Sequence, residues 1–207
     1  MKINQICQSL FLLCLIWACS ACKPAAMAIY GLKAPKELDK KAIERYAKRY
    51  RIPIEDCYEL SDKYVYHLLS LDSTHYAVAQ KNHYQPMQAL YYNQDGDLTS
   101  WHINCYAGGF PNLKWNRNGI MNSFPPATQA PLDSVIPLAS QLQYLRPLTQ
   151  NNKLEAESYD YVVVVHWNRF GGRQSKRLVR QVQRNVRLAS DKKVKIIYAN
   201  NDNNFLH

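Results

Sequence analysis

The chain contains 207 residues, of which 47% are hydrophobic and 20% are charged, and it carries a net charge of +10 at pH 7. This composition excludes an intrinsically disordered protein, and the length suffices for one domain with a buried core. The positive charge predicts anionic partners, of which nucleic acid is the first class to consider. The N-terminal segment favours a different class of anionic partner.

The N-terminal segment combines a short apolar run with cysteines. The nine residues Leu10–Ala18 are apolar, which suits a secretory signal and is too short to cross a bilayer. The following Cys19-Ser20-Ala21-Cys22 resembles the lipobox of bacterial lipoproteins, in which the signal is cleaved just before the modified cysteine. Cys22 fits this position, and Cys19 is the alternative, although the bulky Trp17 precedes it. An ordinary secretory signal is the other interpretation.

The lipoprotein resemblance implies a location and a set of partners. It implies a signal peptide over residues 1–21, a diacylglycerol on the sulfur of Cys22 and an acyl chain such as palmitate on its amine. The mature protein is then expected in the bacterial cell envelope, attached to a membrane through its lipid. Residues 22–35 are predicted to form a tether, and residues 36–207 a single α/β domain. The expected partners are anionic headgroups or an acidic protein or glycan, and not nucleic acid.

The first half of the domain predicts a helix and a hairpin. Apolar residues recur at helical spacing between residues 36 and 51, with basic side chains around them. Residues 87–92 and 98–106 are strand-like and flank an Asp-Gly turn, which is typical of a β-hairpin. Residues 56–71 are ambiguous but favour a short helix, and residues 75–80 alternate weakly in hydrophobicity.

Residues 107–132 are rich in glycine, proline and asparagine and are predicted to form a long loop. Its glycines, Gly108 and Gly109, and its aromatic residues, Phe110 and Trp115, make it the predicted binding surface. Packing of the two aromatic side chains within the loop is the alternative.

The C-terminal part predicts a βαβ unit over residues 159–207. Its segments are a buried strand at 160–167, a helix at 175–188 and a second strand at 193–198. The corner between strand and helix resembles that of thioredoxin-like proteins, which have an aromatic at the strand end, a second aromatic three residues on and then Cys-x-x-Cys. Trp167 and Phe170 match the two aromatics, whereas Gly171 and Gln174 occupy the cysteine positions.

The thioredoxin-like resemblance implies the shape of this corner without its redox chemistry. Thiol–disulfide exchange needs a thiolate, which neither glycine nor glutamine supplies. No catalytic residue is therefore predicted, and Ser175 is expected to cap the helix. In one alternative the fold is permuted, so that Pro86 and the hairpin at residues 87–106 take the place of the family's C-terminal hairpin with its cis-proline.

Two cysteines, Cys57 and Cys105, remain in the predicted domain. A disulfide between them is chemically permitted in an exported protein. Buried, unpaired thiols are the alternative.

Five arginines of the predicted helix share one side, opposite its valines: Arg173, Arg177, Arg180, Arg184 and Arg187. Such a stripe is typical of a solvated helix face. It also predicts contact with anionic headgroups or with an acidic partner.

The remaining patterns argue against metal and cofactor chemistry. The six histidines show no metal-ligand spacing, and His166 in an apolar strand is expected in the core. Neither a metal site nor a cofactor is predicted. The leading interpretation is an envelope lipoprotein that acts as a non-catalytic binding or interaction module. The alternative is an envelope enzyme, either a thiol–disulfide oxidoreductase that uses Cys57 and Cys105 or a hydrolase that acts through the long loop.

Overall fold

The computed structural model describes Met27 and residues 31–105, 114–149 and 158–206. Within these ranges the chain folds as an α/β domain, with one six-stranded mixed sheet and a hydrophobic core on each face of it. The α/β class predicted from the sequence is therefore confirmed. The predicted lipidation residues, Cys22 and Cys19, lie outside the described residues.

The described ranges contain the helices α1 (Lys40–Tyr50), α2 (Lys63–Ser70), α3 (Ser73–His83), α4 (Leu138–Gln143) and α5 (Gly172–Val186). Asp39 starts α1, because its Oδ1 accepts a hydrogen bond of 2.7 Å from the N–H of Ala42. The predicted helix thus begins four residues later than residue 36. Arg51 ends it in the left-handed conformation, with φ 62°.

The strands are β1 (Cys57–Leu60), β2 (Gln88–Asn93), β3 (Leu98–Ile103), β4 (Leu145–Pro147), β5 (Tyr161–Trp167) and β6 (Val194–Asn200). Their order across the sheet is β3-β2-β5-β6-β1-β4. The predicted hairpin is β2–β3, and the predicted βαβ unit is β5–α5–β6 with parallel strands. β2 lies antiparallel beside β5, so the hairpin and the βαβ unit join in one sheet.

The valines of β5 divide between the two cores. Val163 and Val165 face α1 and α5, whereas Val162 and Val164 face the side of α2 and α4. Successive side chains of a strand point to opposite faces, so an unbroken apolar run is what a strand covered on both faces requires. No helix within the described ranges is both long and apolar enough to cross a membrane.

The folded domain begins earlier than predicted. Residues 31–38, here called the strap, run along the C-terminal end of β5, where the N–H of Lys33 donates a hydrogen bond of 2.9 Å to the carbonyl of Phe170. The strap continues to Leu38, whose N–H donates to Asn203 Oδ1 over 2.9 Å. The predicted tether over residues 22–35 therefore ends before Gly31.

Candidate functional site

The corner between β5 and α5 is organised around the side chain of Asn168. Its Oδ1 accepts from the N–H of Gly171 over 2.7 Å, and its Nδ2 donates to the carbonyl of Pro86 over 2.8 Å. The backbone N–H of Asn168 donates to Ser175 Oγ over 3.0 Å. Ser175 therefore lies in the first turn of α5 and does not cap it, which differs from the prediction. The polar atoms that meet here hold the loop in place.

Asp202 holds the other side of the corner. Its carboxylate accepts from the backbone N–H groups of Arg169, over 2.7 Å, and Phe170, over 3.4 Å, and from Asn200 Nδ2 over 2.9 Å. Burial raises the pKa of Asp202, although these donors and the charge of Arg169 oppose the rise. All of its hydrogen bonds go to groups of the chain itself, so its role here is to fix the loop.

The strap covers this corner. Gly172 has φ +53°, and a Cβ on it would lie 1.7 Å from the carbonyl oxygen of Gly31. The Arg169 guanidinium donates to the carbonyl of Ala34, and Tyr50 donates to the carbonyl of Gly172 over 3.1 Å. A substrate could therefore reach this corner only if the strap moved.

The four residues that carry the thioredoxin-like resemblance lie together at the corner. Trp167, Gly171 and Gln174 are buried, and Phe170 is half-buried. The Trp167 ring packs edge-on against Tyr50, with 5.4 Å between the ring centroids. These side chains pack and none of them supplies a nucleophile.

The two cysteines are far apart in the sheet. Cys57 begins β1 and Cys105 follows β3, and four strand spacings separate these strands, which is about 19 Å. A disulfide needs Cα atoms within roughly 7 Å, so the Cys57–Cys105 bond considered from the sequence does not form. Cys57 is fully buried and unpaired, and burial raises its pKa to about 12. Its thiol is therefore protonated at neutral pH.

The predicted binding loop is described only in part. Gly108, Gly109 and Phe110 lie outside the described residues. Trp115 is 3% exposed, and its indole N–H donates to the carbonyl of Gln174 over 3.1 Å. Trp115 is thus a packing residue that ties the loop to α5, and its assignment to a binding surface is wrong.

An open groove of ≈ 920 Å³ lies between the segment that follows α1, the C-terminal half of α5 and the start of β6. We call it the arginine groove, because its lining includes Arg51, Arg180, Arg184 and Arg187. These four side chains are exposed, and none of the salt bridges between described residues involves them. Lys195 also lines the groove and pairs with Asp56, with 2.5 Å between Nζ and Oδ1.

The predicted arginine stripe is exposed along its length, as its spacing indicates. Only its second half faces the arginine groove. Arg173 lies against Gly31 of the strap, where a Cβ on the glycine would come within 2.8 Å of Arg173 Cγ. Arg177 is exposed and lies outside the groove. The sequence could not show that Arg51 and Lys195 lie beside the stripe, because Arg51 follows α1 and Lys195 belongs to β6.

A second polar cluster is buried beside β5. His166 Nδ1 lies 3.2 Å from Gln88 Nε2, and its Nε2 lies 2.7 Å from Gln141 Nε2. Burial, and then the charge of His83, lower the pKa of His166 to about 3. This places His166 in the core, as predicted. No group of three or more potential metal ligands occurs within the described part of the chain.

The groove arginines are thus exposed and take part in none of the salt bridges between described residues, whereas the corner is closed. Comparison with protein-family models, curated proteins and solved structures finds no match for this chain.

Proposed function

We propose that the protein is a lipid-anchored component of the bacterial cell envelope that acts as a non-catalytic binding module. The observation that carries the proposal is the arginine groove, an open concavity lined by four exposed guanidinium groups without carboxylate partners among the described residues. Guanidinium groups present fixed donors that match phosphate and carboxylate oxygens, so such a groove suits an anionic ligand.

The state of the corner supports binding over catalysis. The β5–α5 corner carries no thiol, and the Ser175 hydroxyl is buried and accepts a backbone hydrogen bond. Cys57 is protonated and enclosed, which removes the thiolate that disulfide exchange requires. Of the two alternative enzymes, the oxidoreductase thus loses one of its two thiols as a nucleophile, that of Cys57, whereas Cys105 is half-buried.

The strand pairings favour a permuted thioredoxin-like arrangement. In that arrangement the βαβ unit β5–α5–β6 is followed in space by the hairpin β2–β3, which precedes it in sequence. Pro86 lies two residues before the start of β2, and its carbonyl accepts from Asn168 at the corner. The pattern departs from the family in one respect, because the cis peptide bond among the described residues precedes Pro125 and not Pro86.

The strap is consistent with an anchor at Cys22. The carbonyl of Met27 accepts from the N–H of Leu32 over 2.9 Å, which joins Met27 to the strap. Four residues lie between Cys22 and Met27, and the five steps from one Cα to the next span at most about 18 Å. A lipid on Cys22 would hold the corner close to the membrane.

The anchor is tested by replacing the proposed lipidation residue. We expect Cys22→Ser to abolish incorporation of labelled palmitate and to move the protein from the membrane fraction to the soluble fraction, because several acyl chains supply the membrane affinity. Cys19→Ser is the matched control and should leave both properties unchanged. If labelling is unchanged in Cys22→Ser but lost in Cys19→Ser, the lipid is attached to Cys19. If labelling is unchanged in both variants, neither cysteine carries the lipid and the proposed anchor is refuted.

The absence of catalysis is tested with the same full-length protein. We expect no reduction of insulin disulfides above the uncatalysed rate, in wild type and in Cys57→Ser/Cys105→Ser alike. Turnover that disappears in the double variant would instead identify a thiol–disulfide oxidoreductase.

A further inference from the structure

The charge of the arginine groove is not balanced from within the described chain. Asp56 is the carboxylate in its lining, and Lys195 already pairs with it. Each of the α1 and α5 C-terminal ends brings the equivalent of about half a negative charge, which is less than the four guanidinium groups carry. An anion in the groove would therefore gain attraction without displacing an existing ion pair.

The groove is preformed. Gln183 Nε2 donates to the carbonyl of Arg51 over 2.9 Å and to the hydroxyl of Tyr198 over 3.2 Å, which joins α5 to the end of α1 and to the sheet. Tyr198 is 2% exposed and forms part of the floor. The walls are thus fixed by hydrogen bonds, so a ligand would not have to order the backbone on binding.

The arginines repeat along the groove. Arg180, Arg184 and Arg187 succeed one another by one turn of α5, which advances about 5.4 Å. A chain molecule with anionic groups at regular intervals can meet several of them at once, whereas a single small anion can meet one or two. The repeat therefore favours a linear polyanion.

The groove and the anchored end lie at opposite ends of α5. The strap contacts Phe170 and Gly172 at the start of the helix, and Arg184 lies twelve residues further on, which is about 18 Å along the axis. The strap and the groove also lie at opposite ends of α1. The strap reaches the N-terminal end of this helix through Leu38, whereas Arg51 of the groove follows its C-terminal end. With the anchor at Cys22, the groove points away from the membrane surface.

We propose that the arginine groove binds a soluble linear polyanion with repeating phosphate or carboxylate groups, on the side of the domain away from its membrane. This proposal rests on the proposed function, because the lipid anchor fixes which end faces the membrane.

The test measures binding of fluorescent short-chain inorganic polyphosphate and of polyglutamate to the full-length lipidated protein in neutral detergent micelles. We expect Arg180→Glu/Arg184→Glu to weaken binding of at least one of the two polymers about tenfold or more, because it reverses two charges in the groove. Arg177→Glu is the matched control, an exposed arginine of the same helix outside the groove, and should have a much smaller effect. The preferred polymer distinguishes phosphate from carboxylate.

Three results would overturn the proposal. The first is that neither polymer binds, and the second is that Arg177→Glu weakens binding as much as Arg180→Glu or Arg184→Glu does alone. The third is that phosphatidylglycerol mixed into the micelle displaces the polymer from the wild type, since the groove would then contact headgroups of the membrane that carries the anchor. Each of these results leaves the palmitate labelling of Cys22 and the lack of insulin reduction unaffected, so failure of this proposal is separable from failure of the proposed function.

Discussion

At the scale of single residues, the contact between Gly172 and Gly31 closes the corner. Gly172→Ala would introduce a Cβ 1.7 Å from the Gly31 carbonyl oxygen, at a residue with φ +53°. Gly96→Ala is the matched control, because Gly96 also has a positive φ, of +82°, but the nearest atom to its Cβ is 3.6 Å away. We expect Gly172→Ala to lower the free energy of unfolding by about 2 to 3 kcal/mol and Gly96→Ala by about 1 kcal/mol.

Thermal or urea unfolding of both variants measures this difference. If the two variants lose the same free energy of unfolding, the strap moves aside without cost and only the strain of the positive φ angle destabilises each variant. The strap would then be a movable cover and not a fixed part of the domain.

The pKa of His166 predicts how stability depends on pH. Burial lowers this pKa from 6.5 to about 3, so below pH 6.5 the unfolded chain binds a proton that the folded chain does not. Stability is therefore fully present above about pH 6.5 and falls as the pH falls toward the folded pKa. From about pH 6.5 to about pH 4.5 the loss from His166 is about 2 to 3 kcal/mol.

Urea unfolding of wild type and His166→Gln across this pH range measures that loss. The variant should show a flatter dependence, whatever its stability at neutral pH. A residual slope remains from His102, whose pKa burial lowers from 6.5 to about 4. An unchanged slope in the variant would show that His166 takes up a proton in the folded state.

At the scale of elements, the helices and strands that the sequence predicted are those in which the spacing of apolar residues matches the face that is buried. The valine run of β5, the valine side of α5 and the Asp-Gly turn of the hairpin each specify local structure by themselves. The predicted helix boundaries were less accurate than the predicted elements, because contacts at the helix ends determine where a helix begins and ends. α5 starts at Gly172, three residues before the predicted start, since the backbone turns into the helix at Gly171 and Ser175 bonds to Asn168.

Elements that depend on distant contacts were not predictable. β1 is four residues long and exists because β6 pairs with it on one side and β4 on the other. α3 lacks an apolar stripe and is exposed over its first six residues, so residues 75–80 showed no helical period. The strap has no internal pattern either, since the hydrogen bonds of Lys33, Ala34 and Leu38 go to residues more than a hundred positions away.

At the scale of the whole molecule, the sequence placed the candidate site on the right helix but not in its full extent. The stripe spacing identified Arg180, Arg184 and Arg187, while Arg51 became part of the groove only through the packing of α1 beside α5. The corner was predicted to be inert because it lacks cysteines. That the strap covers this corner was visible only in the fold.

The opposite placement of anchor and groove makes a prediction for the molecule on a membrane. Leu32, in the strap, and Leu188, just past α5, are exposed leucines at the two ends, at 38% and 50%. In a Cys105→Ser background, fluorescent labels on Leu32→Cys and Leu188→Cys report the distance of each end from lipids whose headgroups carry a nitroxide quencher. The strap reaches Cys22 through a segment of at most about 18 Å from Met27, whereas Leu188 lies beyond the full length of α5, about 22 Å.

We therefore expect stronger quenching at position 32 than at 188, and none at either position when Cys22→Ser releases the protein. Equal quenching at both positions would mean that the domain lies along the membrane, with the arginine groove against the headgroups.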